Sequence, residues 1–137
     1  MKNKFIFVIL TFIAINAISS DDKILENISV ENGFEVSIFS STTNAPRQIT
    51  EGSSGYIFVG SKQGDVYALK DHDGNGKADF SIVVASDMGD SSGVAFYNGS
   101  LFIAEIDKVW KIENIEEKLD RGNSIRDFEK ILVTDDL

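Results

Sequence analysis

Short runs of β-branched and aromatic residues, rarely longer than five, recur along the chain between clusters of Gly, Asn, Asp and Ser. Residues 35–39 (EVSIF) alternate polar and apolar. Residues 56–60 (YIFVG), 66–69 (VYAL), 81–85 (SIVVA), 101–104 (LFIA) and 109–112 (VWKI) are compact apolar runs of strand type. The intervening segments 51–55, 62–65, 71–76, 87–93 and 97–100 carry turn-forming residues. One stretch breaks the pattern. In residues 114–120, Ile115 and Leu119 fall on one face at i, i+4, which predicts a short helix. The expectation is an all-β chain with one helical insertion.

The runs also repeat. The segment beginning at Ile49 lies over that beginning at Val94, Phe58 matches Phe102 at an offset of 44, and Val66-Tyr67 matches Val109-Trp110 at 43. Asp79-Phe80 matches Asp127-Phe128 at an offset of 48, the excess being absorbed by the helical insertion at 114–120. Gly33-Phe34 resembles a further copy of this last strand, about 46 residues earlier. A period of about 45 residues with four short strands per unit is the signature of a β-propeller blade. Such a sheet cannot bury both faces alone, which explains inner strands that are apolar on both sides. The blade-like repeats span about 34–87 and 88–137. A small antiparallel sandwich is the alternative. Trp110 and Tyr67, at equivalent places, read as core packing.

The first nineteen residues follow another rule. Lys2 and Lys4 precede an almost wholly apolar run over 5–17, and Ala17 and Ser19 stand at the −3 and −1 places of a cleavage site. This predicts a signal peptide over 1–19, with 20–137 as a partial propeller. The apolar run is shorter than a membrane-spanning helix, so no membrane span is expected after cleavage. An uncleaved anchor is the alternative. The expected compartment is periplasmic or secreted.

With 13 Lys+Arg against 22 Asp+Glu among 137 residues, the net charge is −9, and no basic cluster is present, so no nucleic-acid partner is expected. The absence of Cys excludes disulfides, thiolate metal sites and a Cys nucleophile, and a single His excludes a multi-histidine centre. Part of the acidity sits in one loop, residues 71–79 (DHDGNGKAD). Asp71, Asp73 and Asn75 stand at positions 1, 3 and 5, Gly76 permits a sharp turn, Lys77 offers a backbone carbonyl and Asp79 closes the loop. Alternate oxygens in a tight loop are the donor pattern of a Ca²⁺ site. Ile82 stands where an EF-hand places its Glu. A solvated turn between two strands is the other reading. His72 should point outward and is given no function. Asp87, Asp90, Ser91 and Ser92 precede the innermost strand of the second unit, where propeller loops line the channel mouth. Arg47 reads as one half of a structural salt bridge, with an anionic ligand as the alternative. Glu116, Glu117, Lys118, Asp120 and Arg121 read as the solvated face of the helix. No Ser-His-Asp arrangement is possible around this His.

Taken together, residues 33–39 (GFEVSIF), 45–49 (APRQI), 56–79 (YIFVGSKQGDVYALKDHDGNGKAD), 92–116 (SGVAFYNGSLFIAEIDKVWKIENIE) and the strand around 131–133 resemble the soluble pyrroloquinoline-quinone-dependent glucose/sorbosone dehydrogenase family, the sorbosone-type branch most closely. The resemblance implies an exported six-bladed propeller that oxidises an aldose or related sugar at C1. It further implies a channel His as base, pyrroloquinoline quinone (PQQ) in the channel and a supporting Ca²⁺. Those catalytic groups belong to later blades. Where relatives often carry His or Asn before G-V-A-F, this chain has Ser92. No catalytic residue carries over, and metal in the 71–79 loop would be structural. A non-enzymatic NHL-like scaffold for protein or glycan and a calcium-dependent module are the rival readings. Two blades are fewer than the roughly three repeats that such folds need for stability. The length therefore reads as a fragment, a truncated gene or a subunit completed by other chains, with both outer sheet faces exposed.

Overall fold

The structure, a computed structural model, describes residues 25–122 and 127–134. The expected signal peptide lies outside the described residues. Residues 25–36 form a separate unit of exposed turns, closed by the Ile28 N–H on the Leu25 carbonyl at 3.0 Å and the Phe34 N–H on the Glu31 carbonyl at 3.1 Å.

From residue 37 onward the described residues are all-β apart from one helix. Eight strands follow in order: β1 (Pro46–Glu51), β2 (Ile57–Ser61), β3 (Val66–Lys70), β4 (Phe80–Ala85), β5 (Gly93–Tyr97), β6 (Ser100–Ala104), β7 (Val109–Ile112) and β8 (Ile131–Thr134). They make two four-stranded antiparallel meanders, β1-β2-β3-β4 and β5-β6-β7-β8. This is the strand order of consecutive propeller-like sheets. The tightest hairpin joins β5 to β6 through Asn98 and Gly99, with φ of 47° and 77°. Both residues of such a turn need positive φ, which Asn and Gly adopt at least cost.

Strand alternation sorts each sheet into two faces. Phe58, Val66, Ala68 and Val84 of the first sheet are fully buried against Val94, Leu101, Ile103 and Ile112 of the second. The Phe58 and Phe96 rings stack across this seam, 5.9 Å apart and 9° from parallel. The seam is tightest at the inner strands, where β1 and β2 meet β5. There the Gln48 side-chain carbonyl accepts the Val94 N–H at 3.1 Å, and the Thr50 hydroxyl accepts the Phe96 N–H at 3.3 Å. Edge amides of β5 that would lack a strand partner are thus satisfied by side chains of the other sheet.

The helix α1 (Ile115–Asp120) falls where the i, i+4 pair predicts it, and Ile115 and Leu119 are buried in the same core. One expected strand is absent. Residues 37–39 are irregular and pair with no strand among the described residues. Instead the Phe39 carbonyl accepts the Ala78 N–H at 2.8 Å, and the Phe39 ring packs on Val59, Tyr67 and Leu69.

Candidate functional site

The loop between β3 and β4 is held by its own polar groups. Asp71 Oδ1 accepts the N–H groups of Gly74 at 2.9 Å and Asn75 at 3.3 Å, and Oδ2 accepts that of Gly76 at 2.8 Å. The Gly76 N–H, followed by those of Gly74 and Asn75, holds the Asp71 carboxyl below the usual carboxylate range. Asp73 accepts the backbone and side-chain N–H groups of Asn75 at 3.1 and 3.0 Å, and Asn75 Oδ1 accepts the Lys77 N–H at 2.9 Å. Gly74 and Gly76, with φ of 74° and 83°, supply the left-handed backbone that this winding requires.

Asp79 does not turn into the ring of Asp71, Asp73 and Asn75. Its Oδ1 pairs with His72 Nδ1 at 2.8 Å and accepts the His72 N–H at 3.0 Å. The His72 side chain, first through its ring nitrogen and then through its backbone N–H, lowers the Asp79 carboxyl. The imidazole is half-exposed, with its edge against the Phe80 ring 5.8 Å away. His72 therefore orients Asp79, a role its sequence position did not announce. Among the described residues no three His, Cys, Asp or Glu side chains are grouped as for a metal ion. The five residues Asp71, Asp73, Asn75, Lys77 and Asp79 share one loop, but most of their side-chain oxygens point at its own N–H groups.

The connection from β4 to β5 is a second polar locus, at the inner end of the seam. Ser91 is fully buried, and its hydroxyl donates to the Ser61 carbonyl at 3.1 Å. Ser61 in turn donates to the Asn44 carbonyl at 2.7 Å. Ser91 thus ties two sheets together rather than facing a channel mouth. Ser92 donates to Asp90. The connection is fastened from outside by Glu105, which accepts the Gly89 N–H at 2.5 Å and the Trp110 indole N–H at 2.9 Å. Glu105 was missed in the sequence. An acid directly after an apolar strand, five residues before the only Trp, was the available signal.

Two expected roles change. Glu116 is not a solvated helix residue. It accepts the Ser53 hydroxyl at 2.5 Å and the Ser54 N–H at 2.9 Å, and so staples α1 to the β1–β2 turn. Partial burial pushes its carboxyl up, yet these hydrogen bonds outweigh burial and hold it low. Beside it, Asp120 accepts the Tyr56 hydroxyl at 2.9 Å; burial, followed by this bond, pushes the Tyr56 phenol up to about 12. Arg47 is exposed at the bulge between Pro46 and Gln48 and, among the described residues, has no ion pair within 4.0 Å. The buried Tyr67 ring and the half-buried Trp110 do pack in the two cores as expected.

The outer face of each sheet carries a hollow. On the first, residues 38–43 and strands β1–β3 enclose about 420 Å³, lined by Ile38, Phe39, Ile49, Ile57 and Leu69 with few polar groups. On the second, Ala95, Phe102, Ala104 and Val109, with Gln48 at the margin, line a smaller depression of about 280 Å³. Among the described residues no helix is long and apolar enough to cross a membrane.

No family model matches the chain, and no solved structure matches it. A protein of Borreliella burgdorferi, described as an uncharacterized protein, is 29% identical over 128 residues, covering 89% of this chain and 32% of its own length. The chain thus spans about a third of the length of the relative it matches.

Proposed function

We propose that the chain forms two consecutive blades of an exported β-propeller of the quinone-dependent sugar dehydrogenase type, and that it serves that ring as scaffold. The observation that carries the propeller reading is the stacking of two four-stranded meanders, at a spacing of about 45 residues, with their inner strands adjacent. A relative about three times as long has room for a closed ring of such units. The sugar-oxidising part of the proposal is supported by the order of sequence motifs from 33–39 to 131–133. PQQ, when bound in such a ring, would accept the hydride from the sugar C1.

The described residues do not fit that cofactor. The inner-end Ser91 is consumed by the seam, His72 is paired with Asp79 in the β3–β4 loop, and neither hollow is lined by a charged side chain. No step of the oxidation is therefore assigned to this chain. Calcium in the 71–79 loop is not part of the proposal; there Asp71 and Asp73 both accept the Asn75 N–H, and Asp79 is paired with His72.

Dye-linked aldose oxidation tests the reading. With PQQ and Ca²⁺ added, the Borreliella burgdorferi relative should reduce dye in the presence of an aldose, and the 137-residue chain should not. Turnover by the short chain would contradict the scaffold role. A full-length relative that stays inert with every aldose tried would favour a non-enzymatic propeller.

A further inference from the structure

The two outer faces are not unrelated surfaces. On the outer face of the first sheet stand Ile49, Ile57, Val59, Tyr67 and Leu69. The repeat aligns these five with Val94, Leu101, Ile103, Trp110 and Ile112, which form the second sheet's side of the seam. On the outer face of the second sheet stand Ala95, Phe102, Ala104 and Val109. The repeat aligns these with Thr50, Phe58, Gly60 and Val66, which form the first sheet's side of the same seam. Each outer face thus repeats one half of an interface that the molecule already builds inside itself; on the first sheet Phe39 already covers Val59, Tyr67 and Leu69, which leaves Ile49 and Ile57 as the open part.

We infer that the outer face of β5–β8 of one copy docks on the outer face of β1–β4 of a second copy, head to tail. In the internal seam Phe58 is the large ring that enters the neighbouring sheet. Its repeat partner Phe102 is only half-buried. The hollow of about 420 Å³ beside Ile49, Ile57 and Leu69 is where Phe102 of the second copy inserts. The outer rim is already furnished. The Ala78 N–H bonds to the Phe39 carbonyl at 2.8 Å, a rim contact of the same kind as, but shifted in register from, the bond of the Asp127 N–H to the Val83 carbonyl at 3.3 Å at the internal seam. Residues 37–39 hold the place of a preceding blade's outermost strand, so docking proceeds through the inner strands, where the internal seam is also tightest.

The new interface differs from the old at two places: Lys111, paired with Phe102 on the outer face, stands where the seam buries Ala68, and two side-chain hydrogen bonds are missing. Gly93 and Ala95 stand where Gln48 and Thr50 supply side-chain hydrogen bonds, so association between copies is weaker than packing within one. A head-to-tail contact is heterologous and closes into a ring when the rotation permits. Four to eight blades per ring correspond to two to four copies. The inference rests on the propeller reading of the sheets and not on the quinone chemistry, because its test needs no cofactor.

Sedimentation velocity over a concentration series tests it. The parent chain should gain mass with concentration and level off at a small whole number of copies. Ile49→Asp, at a side chain 66% exposed, and Ala95→Arg, at an exposed position, should each weaken self-association about tenfold or more. Mixing the two variants restores one intact interface, between the outer β5–β8 face of the first and the outer β1–β4 face of the second. The mixture should form a heterodimer and grow no further. A parent chain that stays monomeric at every concentration would overturn the inference. So would Ala95→Arg still self-associating, which means like faces meet, or a mixture that remains two monomers. Should either variant lose its β-sheet circular dichroism, Ile49→Thr and Ala95→Gln carry the same reading.

Discussion

Replacing Phe58 by Ala should cost about 3–5 kcal/mol of folding stability, the range for an aromatic truncated in a core that cannot collapse around the void. Phe58 is fully buried, stacks on Phe96 at 5.9 Å and on Tyr56 at 6.2 Å, and lies in the seam between the sheets. A small β-domain has about 5–15 kcal/mol in total, so the variant should be largely unfolded in mild denaturant. The internal control is Phe102→Ala. It removes the same side chain from the same place in the repeat, but from the half-exposed outer face, and should cost about 1–2 kcal/mol. Urea unfolding followed by Trp110 fluorescence measures both. Equal losses would mean that the seam is not the core of this chain.

The second large effect belongs to a glycine. Gly64 lies in the β2–β3 turn at φ +88°, and a Cβ there would stand 2.2 Å from the Met88 carbonyl oxygen. That oxygen is backbone, in the connection that joins the sheets, and the Met88 N–H is itself bonded to the Gly64 carbonyl at 3.2 Å. Gly64→Ala therefore combines left-handed strain with displacement of the connection, together about 2–4 kcal/mol. Gly55 separates the two causes. Its φ is +82°, and nothing lies within 4 Å of its Cβ position, so Gly55→Ala should cost about 1 kcal/mol from backbone strain alone. Thermal unfolding of the pair checks the difference. A Gly64 variant no worse than the Gly55 variant would show that the connection is free to move.

The strands were legible because each apolar run is short, β-branched or aromatic, and fenced by turn residues. The helix was legible from a single pair, Ile115 and Leu119, together with the larger repeat offset that its insertion explains. Residues 35–39 carried an equally good strand pattern and form no strand, because a strand needs a neighbour and the pattern does not say whether one is present.

The polar contacts were the least legible. Glu116 and Glu117 are neighbours in sequence; one staples α1 to the β1–β2 turn while the other faces solvent in an exposed pair with Arg121. Which of them turns inward depends on how α1 seats against the other sheet, a contact some 62 residues away in sequence. Likewise Asp79 looked like the last donor of a cation loop. The ring of His72, seven residues earlier, reaches it instead.

Amide hydrogen exchange at β5 tests most directly that the two sheets are consecutive units packed face to face. Val94 and Phe96 point their N–H groups away from β6, and only Gln48 and Thr50 of the other sheet receive them. Both amides should be protected in the parent chain. Gln48→Ala should release Val94, and Thr50→Ala should release Phe96, while Ala95, whose amide faces β6, keeps its protection. If Val94 and Phe96 exchange freely in the parent chain, or are untouched by both substitutions, the sheets do not pack as described.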